Sequence, residues 1–392
     1  MDNIVFSQRT AQDRSDNPLS RTLARAIGPV LDLTVSNPTR IGLGIDPKIL
    51  GSALSQGAQS PYDPNPLGLD VAREAVRDYY SQRGVAITSE QVILTATTSE
   101  AYLALFSLLA DAGDRILVTR PSYPLIEDLA RNANITPLPV SLSAEGSRWH
   151  IDPDAIDAGF ASGARAAVLV SPNNPTGSLL STVERRALVA TAERHRAALI
   201  SDEVFLDYLD EPERFATHSF ARTTEIFTAT LSGLSKVAGQ PGLKLGWMVL
   251  NGPEALVTEA RGRLEIWLDT FLSVATPVQH ALPEILDATG LFQANVRDRR
   301  LENLTFLHEV CRNTAVTPSG GEGGWYAVLQ LPAIMNDEAW ATELVEHGAV
   351  RTLPGYLFDF EVEARLVVSL IVSPEDFEEG IGRILRHVDA RT

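Results

Sequence analysis

The sequence has almost no cysteine and no long apolar run, and these two absences exclude several classes of protein. The single cysteine, Cys311, excludes an intramolecular disulfide and a cysteine-based zinc site, and we predict no metal site. No apolar run reaches the ~20 residues that a membrane-spanning helix needs. Residues 1–31 carry scattered charges and do not resemble a signal peptide. A reducing cytoplasm is the simplest compartment.

Positive charge is also scarce, because the formal net charge is −17 and the pI is about 4.9. A uniformly negative field repels phosphate groups, which argues against nucleic acid and anionic membranes as partners. The length of 392 residues predicts two lobes, and 44% hydrophobic with 21% charged residues is ordinary for a globular enzyme. Any anion that this chain binds must therefore be held by local contacts.

Short apolar strands alternate with amphipathic helices between residues 91 and 290. We predict strands at 92–96, 115–118, 166–170 and 198–200, and helices at 101–109, 125–132 and 183–194. This alternation indicates an α/β fold with a mainly parallel sheet covered on both faces, in three layers. We predict an N-terminal arm that completes the small domain (1–45), a large domain (46–283) and a smaller α+β domain (284–392).

Polar residues follow several of these strands, at the sheet edge where parallel sheets bind ligands. Thr97, Thr98 and Ser99 open a helix, which predicts either an anion site or an ordinary N-cap. Asn174 lies in the sequence Asn-Pro-Thr-Gly. These residue types occur in tight turns of any function, so the turn alone does not indicate a binding site. Asp202 ends a strand and is either a partner for a protonated nitrogen or a helix cap.

Lys236 lies in a run of small and apolar residues, Ser232 to Trp247, between two predicted strands. Burial disfavours the charged ammonium, and a neutral amine condenses with an aldehyde to form a Schiff base. The alternative is a solvated loop lysine, as Lys244 eight positions later illustrates. The spacing alone leaves both interpretations open.

Three motifs occur in order: Asn-Pro-Thr-Gly at 174–177, Ser-Asp-Glu-Val at 201–204 and Ser-Lys at 235–236. With these motifs the chain resembles the class I/II aminotransferases, which are fold type I pyridoxal-phosphate enzymes, from about Leu31 to the last helix. The resemblance implies exchange of an amino group between an L-amino acid and a 2-oxo acid through a Schiff base at Lys236. The alternative on the same scaffold is a β-eliminating C–S lyase.

The resemblance also implies roles for individual residues. Lys236 would bind the aldehyde of pyridoxal 5′-phosphate and move a proton, Asp202 would keep the pyridine nitrogen protonated, Asn174 would bond the ring hydroxyl, and Tyr123 would stack on the ring. The phosphate would be held by Thr97, Thr98, Ser99, Ser235, Lys244 and, from a partner subunit, Tyr62. The role of Tyr62 implies a homodimer with shared active sites.

Three positions depart from the family pattern. Phe205 replaces a tyrosine that donates to the ring hydroxyl, so the pKa of the Schiff base is expected to rise. Lys244 replaces an arginine, which keeps the charge and loses the bidentate fork. Val367 stands where an arginine binds the substrate carboxylate. Arg365 and Arg40 are rival replacements, and Asn37 and Asn174 are further candidates for substrate binding.

Overall fold

The computed structural model describes residues 7, 9–10, 15–145 and 148–392. Part of the predicted N-terminal arm, residues 1–6, 8 and 11–14, lies outside the described residues. The strands are β1 (Leu31–Asp32), β2 (Val92–Thr95), β3 (Arg115–Arg120), β4 (Thr136–Glu145), β5 (Arg148–Ile151), β6 (Ala164–Val170), β7 (Ala198–Asp202), β8 (Thr228–Gly233), β9 (Gly246–Asn251), β10 (Thr317–Ser319), β11 (Tyr326–Gln330), β12 (Val350–Arg351), β13 (Leu353–Pro354) and β14 (Arg365–Ser369).

The helices surround a large sheet and two smaller ones. They are α1 (Pro18–Arg25), α2 (Pro47–Gly57), α3 (Asp70–Gln82), α4 (Thr98–Leu109), α5 (Leu125–Asn132), α6 (Pro153–Ala161), α7 (Thr182–His195), α8 (Phe215–His218), α9 (Leu234–Val237), α10 (Glu254–Asp269), α11 (Thr276–Asp287), α12 (Thr289–Val310), α13 (Asp337–Gly348) and α14 (Pro374–Asp389). Among the described residues, no helix combines the length and the apolar character that a membrane crossing requires.

The larger sheet has eight strands in the order β2-β9-β8-β7-β6-β3-β4-β5. Strands β3, β4, β6, β7 and β8 pair in parallel, while β9 is antiparallel to both of its neighbours and β5 is antiparallel to β4. The prediction of a mainly parallel sheet is confirmed. Because β2 runs in the same direction as β8, its carboxyl end lies at the same edge as the ends of the parallel strands.

Both faces of this sheet are apolar, because successive residues of a strand point to opposite sides and most residues of the central strands are apolar. In β6, Ala166, Val168 and Val170 belong to the core on one face. Ala167 and Leu169 belong to the core on the other face. The near-continuous apolar sequence of β6 therefore serves two helical layers, which is the reason such a strand lacks polar alternation.

The smaller lobe contains a four-stranded antiparallel sheet in the order β10-β11-β14-β13. The N-terminal segment joins this lobe, since β1 pairs with β12 and Leu33 packs in the same core as Leu366 and Val368. The long helix α12 leads from the large lobe into the small one. The exact boundaries after residues 45 and 283 stay predictions.

The two lobes touch where the Asn-Pro-Thr-Gly turn meets the glycine-rich loop before β11. Gly177 has a φ of +67°, which favours glycine, and a β-carbon there would lie 2.4 Å from the carbonyl oxygen of Gly323. A β-carbon on Gly321 would lie 2.0 Å from the carbonyl carbon of Gly177. The contact is thus made by backbone atoms alone, with no room for a side chain.

We expect Gly321→Ala to lower the free energy of unfolding by about 1–3 kcal/mol, because the backbone must move to admit the methyl group. The matched control is Gly262→Ala in the exposed part of α10, where a β-carbon meets nothing within 4 Å. There, alanine should stabilise by about 0.5–1 kcal/mol because it lowers the entropic cost of helix formation. Urea unfolding measures both, and equal effects at the two glycines would contradict the close contact.

Candidate active site

A cavity of about 410 Å³ opens at the carboxyl edge of the large sheet. It is lined from the ends of β2, β6, β7 and β8, from the start of β9 and from the small lobe. The lining residues are Ser36, Thr97, Thr98, Ser99, Tyr123, Val170, Asn174, Asp202, Val204, Phe205, Gly233, Ser235, Lys236, Pro241, Leu245, Gly246 and Tyr326. Eight residues that the sequence singled out therefore share one cavity.

Lys236 lies on the short helix α9, which directly follows β8. Its side chain is half-buried, and its Nζ lies 4.7 Å from the centre of the Trp325 ring and 5.3 Å from that of Phe205. Burial lowers the pKa of Lys236 to about 8, against the opposing attraction of Asp202. The amine therefore has a considerable neutral fraction near neutral pH.

Asp202 ends β7 and is almost fully buried. Burial raises the pKa of Asp202 to about 6, although hydrogen bonds from Tyr102 and the Val204 N–H and the charge of Lys236 favour the carboxylate. The Tyr102 hydroxyl donates at 3.0 Å and the Val204 N–H at 3.2 Å. Asp202 is thus an oriented carboxylate that is still ionised at pH 7.

Asn174 and Tyr123 face the same cavity from the loops after β6 and β3. Asn174 is buried, and its side-chain oxygen Oδ1 has no hydrogen-bond partner within the described residues. An unpaired buried polar atom costs free energy unless a ligand or water completes it. Burial raises the pKa of Tyr123 to about 12, so its ring stays neutral.

Hydroxyl groups and backbone N–H groups collect at the start of α4. Thr97 caps this helix, because its Oγ1 accepts from the Glu100 N–H at 3.1 Å. Thr98 and Ser99 occupy the first turn, where backbone N–H groups have no partner inside the helix. Gly246 lies directly beside them, since a β-carbon there would approach the Thr98 nitrogen to 3.1 Å. These hydrogen-bond donors, here called the cradle, surround a space whose base is formed by Gly246, which has no side chain.

Five residues proposed from the sequence do not line this cavity. Lys244, Asn37 and Arg40 are exposed, and Tyr62 is 64% exposed. Arg365 is half-buried in the small lobe, where its guanidinium lies 4.8 Å from the Trp149 ring centre and its Nε donates to Gln330 Oε1 at 2.8 Å.

The three departures from the family pattern have distinct surroundings. Phe205 lines the cavity and packs edge-on against Trp325. Tyr208, three residues later, points elsewhere, because its hydroxyl donates to the carbonyl oxygen of Lys236 at 2.5 Å. Val367 is fully buried with Val328 in an apolar cluster.

Sequence reasoning missed two cavity residues from the small lobe, Ser36 and Tyr326. They are joined by a side-chain hydrogen bond, and burial raises the pKa of Tyr326. Ser36 directly precedes Asn37, and Tyr326 lies two residues after a glycine-rich run that ends at Gly324. That glycine run was the available signal in the sequence, since glycines permit the close packing that brings the following strand against the large lobe.

Comparisons with known proteins agree with this geometry. A family model described as aminotransferase class I and II matches residues 52–384. The chain belongs to this family. It is 31% identical over 260 residues to the glutamate-pyruvate aminotransferase AlaA of Escherichia coli K12, an alignment that covers 66% of this chain and 63% of that protein. It is 27% identical over 356 residues to the tyrosine aminotransferase of Homo sapiens, covering 87% and 77% respectively.

The fold is that of solved aminotransferases. The alanine aminotransferase from Pyrococcus furiosus superposes with a TM-score of 0.87 at 24% identity, over 95% of both chains. The predictions of the family, of its fold and of an aminotransferase enzyme are thereby confirmed. These relatives are named as aminotransferases and none as a lyase.

We expect Gly246→Ala to weaken the binding of pyridoxal 5′-phosphate by about tenfold, because the added methyl group presses on the backbone at the start of α4. Gly242→Ala is the matched control, since a β-carbon at this exposed glycine meets nothing within 4 Å. Equilibrium titration of the cofactor-free protein gives both dissociation constants. Unchanged affinity in Gly246→Ala would remove α4 from the binding site.

The lowered pKa of Lys236 predicts how its amine reacts with aldehydes. Because only the neutral amine attacks, reductive modification of Lys236 by a small aldehyde and borohydride should rise through about pH 8. A lysine in an unstructured peptide should rise near pH ~10.4. The chain has three lysines, Lys48, Lys236 and Lys244, so peptide mass mapping resolves them. A Lys236 midpoint equal to that of the peptide would rule out a desolvated amine.

Proposed function

We propose that this protein exchanges an amino group between an L-amino acid and a 2-oxo acid, using pyridoxal 5′-phosphate at Lys236. The observation that carries the proposal is the half-buried amine of Lys236, with a pKa of about 8, in one cavity with Asp202 and Asn174. This cofactor uses a lysine that forms a Schiff base and an acidic or basic partner for its pyridine nitrogen, and Lys236 and Asp202 supply that pair. The names of the relatives support the same reaction.

The residues present fit the cofactor on three independent counts. The unpaired Asn174 Oδ1 offers an acceptor for a ring hydroxyl. The donors of Thr97, Thr98, Ser99 and Ser235 suit a phosphate, which binds at helix N-termini. Gly246 leaves the floor of this cradle free of side-chain atoms, and a β-carbon there would fill it.

When bound, pyridoxal 5′-phosphate supplies a conjugated ring that accepts the electron pair released at the substrate α-carbon. Lys236 would hold the cofactor aldehyde, and after the substrate amine has displaced it, its free neutral amine would take the α-proton of the substrate. Asp202, oriented by the hydrogen bond from Tyr102, would keep the ring nitrogen protonated. Tyr123 provides a neutral aromatic face. Phe205 donates no hydrogen bond, so Asn174 is left as the side chain that orients the ring hydroxyl.

Substrate binding is proposed to involve Asn37, Asn174 and an arginine, either Arg365 or Arg40. Arg365 is half-buried beside the rings of Trp149 and Phe360 and donates to Gln330, so it would have to leave these contacts to reach a substrate in the cavity. Arg40 lies on an exposed turn beside Asn37. Lys244 is proposed to reach the phosphate from its exposed turn at the edge of the site.

A homodimer with shared active sites in the cytoplasm is part of the same proposal. Tyr62 supports it, because this large ring is 64% exposed although it opens the loop that feeds α3. The proposed domain limits are 1–45 with 284–392 for the small domain and 46–283 for the large one, and β1 pairing with β12 supports that division.

We expect Lys236→Ala to lose covalent cofactor and transamination, with activity falling by at least about 10³-fold, since the amine serves in both attachment and proton transfer. Borohydride reduction followed by intact-mass measurement reports attachment, and a panel of amino donors with 2-oxo acids reports transfer. Lys244→Ala is the control and should still attach cofactor covalently. Full turnover in Lys236→Ala would refute the assignment.

The lyase alternative is tested on the unmodified protein. A β-eliminating lyase releases ammonia and pyruvate from cysteine-type substrates without a 2-oxo acid, whereas an aminotransferase turns over only when the acceptor is present. If one ammonia is released for each substrate molecule consumed over many turnovers without a 2-oxo acid, the reaction is elimination and the proposed transamination is wrong.

A further inference from the structure

Two carbonyl groups at the end of the Lys236 turn are held by side chains from other elements. The Tyr208 hydroxyl donates to the carbonyl oxygen of Lys236 at 2.5 Å, and Gln293 Nε2 donates to that of Val237 at 2.9 Å. Tyr208 and Gln293 are both buried. The last carbonyls of a helix have no partner within it, and at the end of the four-residue helix α9 these two side-chain bonds add to the backbone bond that the Lys236 oxygen accepts from the Gly239 N–H at 3.3 Å.

Both holding side chains are anchored by a buried ion pair. Asp207, next to Tyr208, accepts from Arg83 Nε at 2.7 Å and from the Tyr79 hydroxyl at 2.5 Å. Arg83 also donates to Gln293 Oε1 at 3.0 Å, so one guanidinium holds Gln293 directly and Tyr208 only through the preceding residue, Asp207. Because Arg83 and Asp207 are themselves largely buried, this network has little freedom to rearrange.

The ring of Tyr208 reaches the lysine by a second route. It packs edge-on against Trp325 at 4.9 Å between ring centres, and Trp325 is the ring that lies 4.7 Å from Lys236 Nζ. Tyr208 therefore supports the backbone of Lys236 through a hydrogen bond and the surroundings of its amine through Trp325. A displaced Trp325 would admit water to the amine and return its pKa towards the ordinary value.

Gln293 is the first of four polar residues on one face of α12. Gln293, Arg297, Arg300 and Asn303 are four, three and three residues apart, which places them along one side of the helix over about 15 Å. Arg300 donates to the Gly321 carbonyl at 2.7 Å, and Asn303 donates to the Leu370 carbonyl at 2.9 Å. The same helix face thus connects the lysine turn with the glycine-rich loop and the small lobe.

We propose that Tyr208 and Gln293 are positioning residues for Lys236, which fix its turn and keep its amine desolvated. The proposal rests on the proposed function, because it assigns them to the reaction of that amine. The polar face of α12 bonds both the lysine turn and the small lobe, so it fixes the position of the turn relative to that lobe. The small lobe contributes Ser36 and Tyr326 to the cavity.

The experiment compares the cofactor-loaded enzyme with Tyr208→Phe and Gln293→Met, each of which removes a donor with little change in shape. We expect kcat to fall about three- to tenfold, as for the loss of one hydrogen bond, with KM within about twofold. We also expect the pH midpoint for aldehyde modification of Lys236, measured on cofactor-free protein, to move upward from about 8 because the loosened turn admits water.

Matched controls separate positioning from general stability. Tyr80→Phe removes a buried tyrosine hydroxyl that meets Trp247 at 3.5 Å, and Gln279→Met removes a buried glutamine that bonds Leu69 and Val274. Both should lower the melting temperature as much as the test variants while kcat and the Lys236 midpoint stay unchanged.

Two outcomes overturn the proposal. If Tyr208→Phe and Gln293→Met retain the wild-type midpoint and kcat, or if the controls shift them equally, the two side chains stabilise the fold without positioning Lys236. Lys236→Ala, measured alongside, separates this failure from failure of the proposed function: an inactive Lys236→Ala with unchanged Tyr208→Phe refutes only the positioning, whereas an active Lys236→Ala refutes the reaction itself.

Discussion

The structure depends on the removal of one amine from water. Burial lowers the pKa of Lys236 to about 8 and raises that of Asp202 to about 6, so both shifts move towards a neutral pair. Their mutual attraction opposes both shifts and is the weaker effect. Between these two values both groups are charged, yet each is close to its titration point. Burial thus makes loss of the proton from Lys236 easier than from a lysine in water.

The groups that shield Lys236 come from both lobes. Desolvation requires the strand β8, the cover of Phe205 and Trp325, and the small-lobe residue Tyr326 to remain in place together. The backbone contact between Gly177 and Gly321 and the polar face of α12 provide that constraint from two sides. The close contact between the lobes thus limits how much water reaches the half-buried amine.

The sequence alone predicted the parallel sheet and the residues at its strand ends. Asp202, Asn174 and Thr97 could be placed together because the carboxyl ends of parallel strands share one edge. Ser36 and Tyr326 could not, since they reach the cavity through packing between the lobes, which the glycine run at 320–324 indicates without saying which side chains enter the cavity. Strand β4 was also missed, because Pro137 and Pro139 suggest a loop. They are tolerated there because that half of β4 pairs only with β3, and its other side is an edge.

Tyr208 shows a similar limit. It lies three positions after Phe205, but its direction could not be argued from the sequence, because it depends on a short 3-10 helix, Leu206–Tyr208, that turns it towards the backbone of Lys236. Val367 is explained by its partners, because Val328 opposite it in β11 and the ring of Phe358 form a dry cluster in which an unpaired guanidinium would be costly.

The scarcity of lysine has a consequence for the chemistry of the whole surface. Only three of the thirty-three lysine and arginine residues are lysines, so nearly all the positive charge is carried by guanidinium groups. Guanidinium groups stay protonated in proteins and do not compete with an amine for an aldehyde. The surface of this chain therefore offers an aldehyde only two lysine amines besides Lys236, those of Lys48 and Lys244.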